Sequence, residues 1–107
     1  MAETVAAIVA AHRAGTATPE QTVARSYARI RAHGDAAIFI SLRPEAEALA
    51  EARALTDKNL PLYGIPVGVK DNIDVAGLPT TAACPAFAYV PGQTAPVVER
   101  LLAAARS

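Results

Sequence analysis

Residues 61–75 read PLYGIPVGVKDNIDV, and the choice between a helical and a mixed fold turns on this stretch. Ile65, Val67, Val69, Ile73 and Val75 share one parity, whereas Gly68, Lys70, Asn72 and Asp74 share the other. Such alternation sends successive side chains to opposite faces of an extended chain. It predicts a strand with one apolar and one polar face. The continuation at 77–92, GLPTTAACPAFAYVPG, is dense in Gly, Pro, Thr and Ala and predicts a long irregular loop. Irregular segments of that length are usually either functional or disordered.

Upstream the pattern changes to helical spacing. Val5, Ile8, Val9 and Ala11 or His12 recur at one face of a helix over 4–14, with Gly15 placed for a left-handed C-cap. Thr18, Pro19 and Gln21 have the order of a capping box with proline at the first helical position. Val23, Tyr27 and Ile30 continue that second helix to Gly34. Ile38-Phe39-Ile40 predicts a short extended piece. Residues 44–58 predict an Ala/Glu/Leu-rich helix in which Arg53 and Asp57 stand one turn apart. Downstream, Thr94 is placed to cap a last helix whose buried stripe is Val98, Leu101, Leu102 and Ala105. The resulting order is helix, helix, extended piece, helix, strand, loop, helix. One confident strand makes no sheet, so either this is an irregular helical domain or it is an α/β fold whose partner strands are missing. The second is the more economical reading.

Composition narrows the function classes. The 107 residues carry 10 Lys+Arg and 10 Asp+Glu, a formal net charge of +0 and a pI near 6.7. That balance offers no basic field for nucleic acid or acidic lipid. Hydrophobic residues reach 52%, but about a quarter of the chain is alanine and 5% is aromatic, which predicts a thin core. A single cysteine excludes an internal disulfide and fits a reducing, cytosolic setting. The longest uncharged stretch, 75–98, is broken by Pro79, Pro85, Pro91 and Pro96, so no membrane helix is expected, and the N-terminus has no export signal. His12, His33 and Cys84 are too scattered for a zinc site, and no metal is expected.

Lys70 is the residue with the most chemical interest. A lysine on the polar face of a half-buried strand is ordinarily a solvated charge. It becomes a base near neutral pH only where burial penalises its ammonium form. Asp71 and Asn72 are expected to turn and support the strand end. Thr80 and Thr81 lie in a turn-rich loop. Cys84, flanked by alanine and proline without a nearby histidine, is expected to be a packed, inert thiol. His12 is expected on a helix flank, and His33 at a helix C-terminus, where its charge suits the dipole.

Residues 61–75 followed by GLPTTAACPAFAY at 77–89 resemble the amidase-signature family, and the TTAACPAFAY part most resembles its allophanate hydrolase branch, which completes urea breakdown. The likeness is specific over about 60–89 and looser back to Thr18 and forward through 97–104. It implies an amidohydrolase that acts on a linear amide through a Ser, cis-Ser, Lys triad and a seryl-acyl intermediate, without a metal or organic cofactor. Lys70 matches the family's catalytic lysine. Asp71 and Asn72 belong to the same motif, and Thr80, Thr81 and Cys84 fall where the substrate pocket would be lined. A small amide is the implied partner, and a homodimer is compatible with the full-length relative.

Two departures accompany the match. Val67 and Gly68 stand where the family often has a larger residue and an alanine. More important, the Gly/Ser-rich signature that supplies both serines is absent: the serines here are Ser26, Ser41 and Ser107, none in a Gly-rich turn. In the family a glycine and a core strand follow the last helix, where this sequence reads Ala105-Arg106-Ser107. The expectation is an N-terminal portion, 1–107, of one amidase domain, truncated or frameshifted, poorly folded and inactive alone. Two alternatives stand beside it: another amidase-signature enzyme, acting on a general carboxamide or on a glutaminyl-tRNA precursor, and a non-catalytic helical interaction module.

Overall fold

The computed structural model describes residues 3–35 and 39–106. Four helices account for its regular structure: α1 (Val5–Ala14), α2 (Pro19–His33), α3 (Glu45–Arg53) and α4 (Pro96–Arg106). The first two begin and end as their sequences predict. Thr4 caps α1 by accepting the Ala7 N–H at 3.0 Å, and Gly15 closes it at φ 78°. At α2 the Gln21 N–H donates to Thr18 Oγ1 at 3.1 Å and the Thr18 N–H donates to Gln21 Oε1 at 3.0 Å, a complete capping box. A cap of this type is worth about 1 kcal/mol.

The helices meet on a peptide rather than on a large apolar core. His12, only 2% exposed, is the most buried large side chain together with Val98, which corrects its expected place on a helix flank. Its Nδ1 lies 2.8 Å from the Tyr63 carbonyl, which can only accept, so the proton sits on Nδ1. Nε2 lies 2.6 Å from the Thr22 hydroxyl, its second hydrogen-bond partner. Burial costs little when both polar ends are satisfied, and the ring also packs edge-on to Tyr63 at 5.9 Å. The next residue, Gly64, has φ +75° and lies against α2 so closely that a Cβ would meet Pro19 Cγ at 2.6 Å and His12 Nδ1 at 2.8 Å.

The same segment closes α4. Leu62 and Gly64 donate their N–H groups to the carbonyls of Ala104 and Ala105 at 2.9 and 3.0 Å, satisfying two of the acceptors a helix C-terminus leaves open. Arg13, from α1, bridges the Lys58 and Leu60 carbonyls at 2.9 and 3.0 Å. The 58–64 loop is thus held by α1, α2 and α4 together. Among the described residues the core comprises Val9, Val23, Ala52, Tyr63, Val98 and Ala105, the thin core that an alanine-rich composition predicts.

Several sequence expectations are corrected. No strand forms among the described residues; a single antiparallel bridge joins Thr80 and Tyr89. The alternation over 65–70 is nevertheless present in the side chains: Ile65, Val67 and Val69 are half-buried, while Pro66, Gly68 and Lys70 are exposed. The strand pattern is there, but among the described residues no neighbouring strand hydrogen-bonds to it. The expected extended piece begins at Ile38, outside the described residues, and Phe39 and Ile40 are exposed without a ladder.

Helix α3 stops at Arg53 instead of 58: its end tightens, the Ala54 and Leu55 N–H groups donating to the Glu51 and Ala52 carbonyls at 3.2 and 3.3 Å, and farther on Asp57 accepts the Asn59 N–H at 3.0 Å in a separate turn. Arg53 consequently grips Glu20 of α2 at 2.9 and 3.0 Å, not Asp57. Thr94 does not cap α4; its hydroxyl accepts the Ala76 N–H, and the helix starts on the Ala95 carbonyl. In the expected stripe of α4, Val98 and Ala105 are buried, Leu102 is half-buried and Leu101 is 39% exposed.

Replacing Gly64 by alanine forces either Pro19 or the histidine away and imposes a left-handed alanine, at a combined cost of roughly 2–5 kcal/mol. With so thin a core around it, Gly64→Ala is expected to lower the melting temperature of an intact amidase carrying residues 3–106 by several degrees. An unchanged melting curve would contradict the close approach.

Candidate active-site segment

From the anchored Gly64 the chain runs without helix or strand to Lys70 and then turns. The Ile73 N–H donates to the Lys70 carbonyl at 3.0 Å, which bends the backbone through Asp71 and Asn72. Beyond the turn the loop is tied at its base. The Asp74 carbonyl accepts the Ala95 N–H at 2.9 Å, Gly77 donates to Pro91 at 3.2 Å, and Ala76 donates to the Thr94 hydroxyl at 2.9 Å. Residues 74–95 therefore form a closed excursion seated on the start of α4.

Lys70 projects into solvent, and among the described residues no carboxylate pairs with its ammonium. The desolvation that general-base chemistry requires is not supplied within the described segment. Asn72 is likewise exposed at the turn.

Asp71 has a more defined place. Its Oδ1 accepts the Thr81 N–H at 3.1 Å, and its Oδ2 accepts both the Thr81 hydroxyl and the Ala83 N–H, the latter at 3.0 Å. Its own carbonyl accepts the Ala82 N–H at 3.3 Å. The turn so gripped is unusual in its backbone: Ala82 and Ala83 have φ of 49° and 60°. Left-handed conformations cost an L-residue about 1–2 kcal/mol each. Asp71 thus goes beyond the supporting role expected at a strand end, because its carboxylate shapes a second loop ten residues on.

A second polar cluster escaped the sequence reading. Thr80, buried at 3%, pairs its backbone with Tyr89 at 2.8 and 3.1 Å and donates its hydroxyl to Asp74 Oδ1 at 2.9 Å. The Tyr89 hydroxyl donates to the same oxygen, and this hydrogen bond to a carboxylate raises the pKa of the phenol above its ordinary value. Only the shared parity of Lys70, Asn72 and Asp74 hinted that Asp74 belongs with this polar face. Cys84 is exposed rather than packed: its N–H closes the turn on the Thr81 carbonyl at 2.8 Å, and the one-turn 3-10 helix Pro85–Phe87 that follows leaves the thiol open to solvent.

The segment brings together Lys70, Asp71, Thr80 and Thr81 along one short stretch of folded chain, but no serine hydroxyl joins them. Ser26 lies in α2 with its hydroxyl donated to the Thr22 carbonyl at 3.1 Å, Ser41 lies before α3, and Ser107 is outside the described residues. Two clefts between the helices, one beside Arg25 and one beside Arg53, are lined without Lys70. No helix among the described residues is long and apolar enough to cross a membrane.

The hydrogen bonds from the Thr81 side chain, then Ala83 and Thr81 backbone, hold the Asp71 carboxyl below its ordinary value of 3.8. Because the folded value is depressed, the contribution of this clamp is fully present above about pH 3.8 and is lost as pH falls through the lower folded value. A carbon-13 titration of the Asp71 carboxyl in the folded segment is expected to give a midpoint below 3.8, with the Thr81 and Ala83 amides following it. A midpoint at or above that value contradicts the clamp.

Comparison with known proteins places this geometry in a family. The family model described as Amidase matches residues 21–105. The urea amidolyase of Saccharomyces cerevisiae is 68% identical over 44 residues, which cover 41% of this chain and 2% of that protein. A glutamyl-tRNA(Gln) amidotransferase polypeptide of Chloroflexus aggregans is 42% identical over 109 aligned positions, covering 94% of this chain and 22% of that protein. The solved structure of Kluyveromyces lactis allophanate hydrolase superposes with a TM-score of 0.77 at 34% identity, over 98% of this chain and 18% of that one. The chain therefore spans less than a quarter of the length of each of these proteins. With a family match across most of its described residues and a close structural likeness, the chain belongs to the amidase family.

Proposed function

We propose that this chain is the lysine-bearing segment of an amidohydrolase that cleaves allophanate. The observation that carries the reading is the folded unit of Lys70, Asp71 and the Thr81–Cys84 turn, lying inside the family match in a segment that superposes on an allophanate hydrolase at 34% identity. The high identity to a urea amidolyase over 44 residues favours the urea branch over a tRNA-linked amidotransferase, whose relative matches at 42% over more of the chain.

In this reading a serine oxygen attacks the amide carbonyl, and its proton passes through a bridging serine to the neutral amine of Lys70. The leaving nitrogen departs with a proton, and water then hydrolyses the seryl ester and restores the serine. The reading requires both serines, a cover that desolvates Lys70 and most of the mixed sheet flanking residues 65–70 to be supplied from outside these 107 residues. No metal or organic cofactor has a step in this chemistry. The single cysteine, which has no partner for an internal disulfide, supports a cytosolic setting for the parent enzyme.

The test uses an intact amidase in which residues 3–106 replace the matching segment of the Kluyveromyces lactis allophanate hydrolase. It is expected to hydrolyse allophanate with a kcat/KM at least about tenfold above that for a simple carboxamide, a preference of about 1.4 kcal/mol. Equal rates on both, or glutamine hydrolysis in place of allophanate hydrolysis, would move the segment to another branch of the family. The purified 107-residue chain alone is expected to show no turnover, and turnover that disappears in Lys70→Ala would overturn the division of the triad.

A further inference from the structure

The Lys70 motif and the Thr81–Cys84 turn are joined by one side chain. Asp71 follows the lysine directly, and its two carboxylate oxygens take the Thr81 N–H, the Thr81 hydroxyl and the Ala83 N–H, while its carbonyl takes the Ala82 N–H. Ala82 and Ala83 are the only non-glycine residues with positive φ among those described. Alanine adopts that backbone only when its surroundings compel it. Here the compelling group is the carboxylate, since an exposed turn has no packing to hold it in place. The turn in its strained form and the peptide that carries the lysine therefore move as one body.

We propose that Asp71 is a positioning residue for amide hydrolysis, fixing the lysine-bearing peptide against the Thr81–Cys84 turn. The proposal rests on the amidase reading above. Asp71 itself transfers no proton: both of its carboxylate oxygens are engaged by the turn, and it acts by geometry. Asparagine keeps the shape but turns an N–H₂ group toward the Ala83 N–H, so that one oxygen must serve where two did. Misplacing a reacting group by about an ångström can cost about 10²-fold in rate.

The experiment uses the intact amidase carrying residues 3–106. Asp71→Asn is expected to lower kcat for allophanate by about 10²-fold with KM changed less than about threefold, and Thr81→Val, which removes one donor, by about tenfold. The pH dependence of kcat is the second readout: a residue that only positions the lysine-bearing peptide leaves the midpoints of the profile where they stand in the unsubstituted amidase, whereas loss of a proton-transfer group moves or removes one. Retention of full kcat in Asp71→Asn, or a displaced midpoint, overturns the positioning role. Failure of the unsubstituted amidase to hydrolyse any amide overturns instead the reading on which the role rests.

Discussion

Gly64 can lie against Pro19 and His12 only because it has no Cβ, and nearly everything else in the molecule is arranged around that approach. A methyl group there would overlap Pro19 Cγ at 2.6 Å. The preceding carbonyl fixes the proton of the buried His12, and the flanking N–H groups of Leu62 and Gly64 finish α4. Three helices are thus organised by backbone groups of one loop, a solution suited to a chain whose buried residues include two alanines and few large side chains. Polar groups so placed are strong only while all are satisfied, which makes the hub specific and intolerant of change.

The consequence for the site is positional. Residues 62–64 are held on three sides, so the run to Lys70 starts from an anchored base. The loop that returns from Asp71 to Ala95 is tied at its foot to the start of α4, the same helix whose other end is closed by Leu62 and Gly64. Lys70 therefore lies between two anchored pieces, with its side chain in solvent and its peptide fixed by Ile73 and, through Asp71, by the Thr81–Cys84 turn. Surface pairs such as Glu20 with Arg53 add orientation between α2 and α3 but little energy.

Much of this was legible from local chemistry. The caps of α1 and α2 depend on residues three apart, and such signals survive any tertiary context. The alternation at 65–70 correctly separated the half-buried valines from Lys70, yet it could not say whether strands lie alongside, because pairing is a property of distant sequence. Asp57 and Thr94 were misread for a related reason: each has a side chain that hydrogen-bonds the backbone, and only the fold decides which backbone group it finds. His12 offered no local sign of burial, since its partners stand 10 and 51 residues away. The motif resemblance singled out Lys70, Asp71 and Thr81, whereas the clamp that connects them required the left-handed alanines to be seen.

Lys70 is exposed and forms no ion pair among the described residues, so removing its side chain tests chemistry with little cost to folding. The decisive measurement is kcat for allophanate of Lys70→Ala in the intact amidase carrying residues 3–106. A fall of about 10³-fold at unchanged melting temperature is expected if this lysine is the base of the triad. A kcat within about tenfold of the unsubstituted enzyme would show that the proton goes elsewhere and that the segment's lysine is only a solvated charge.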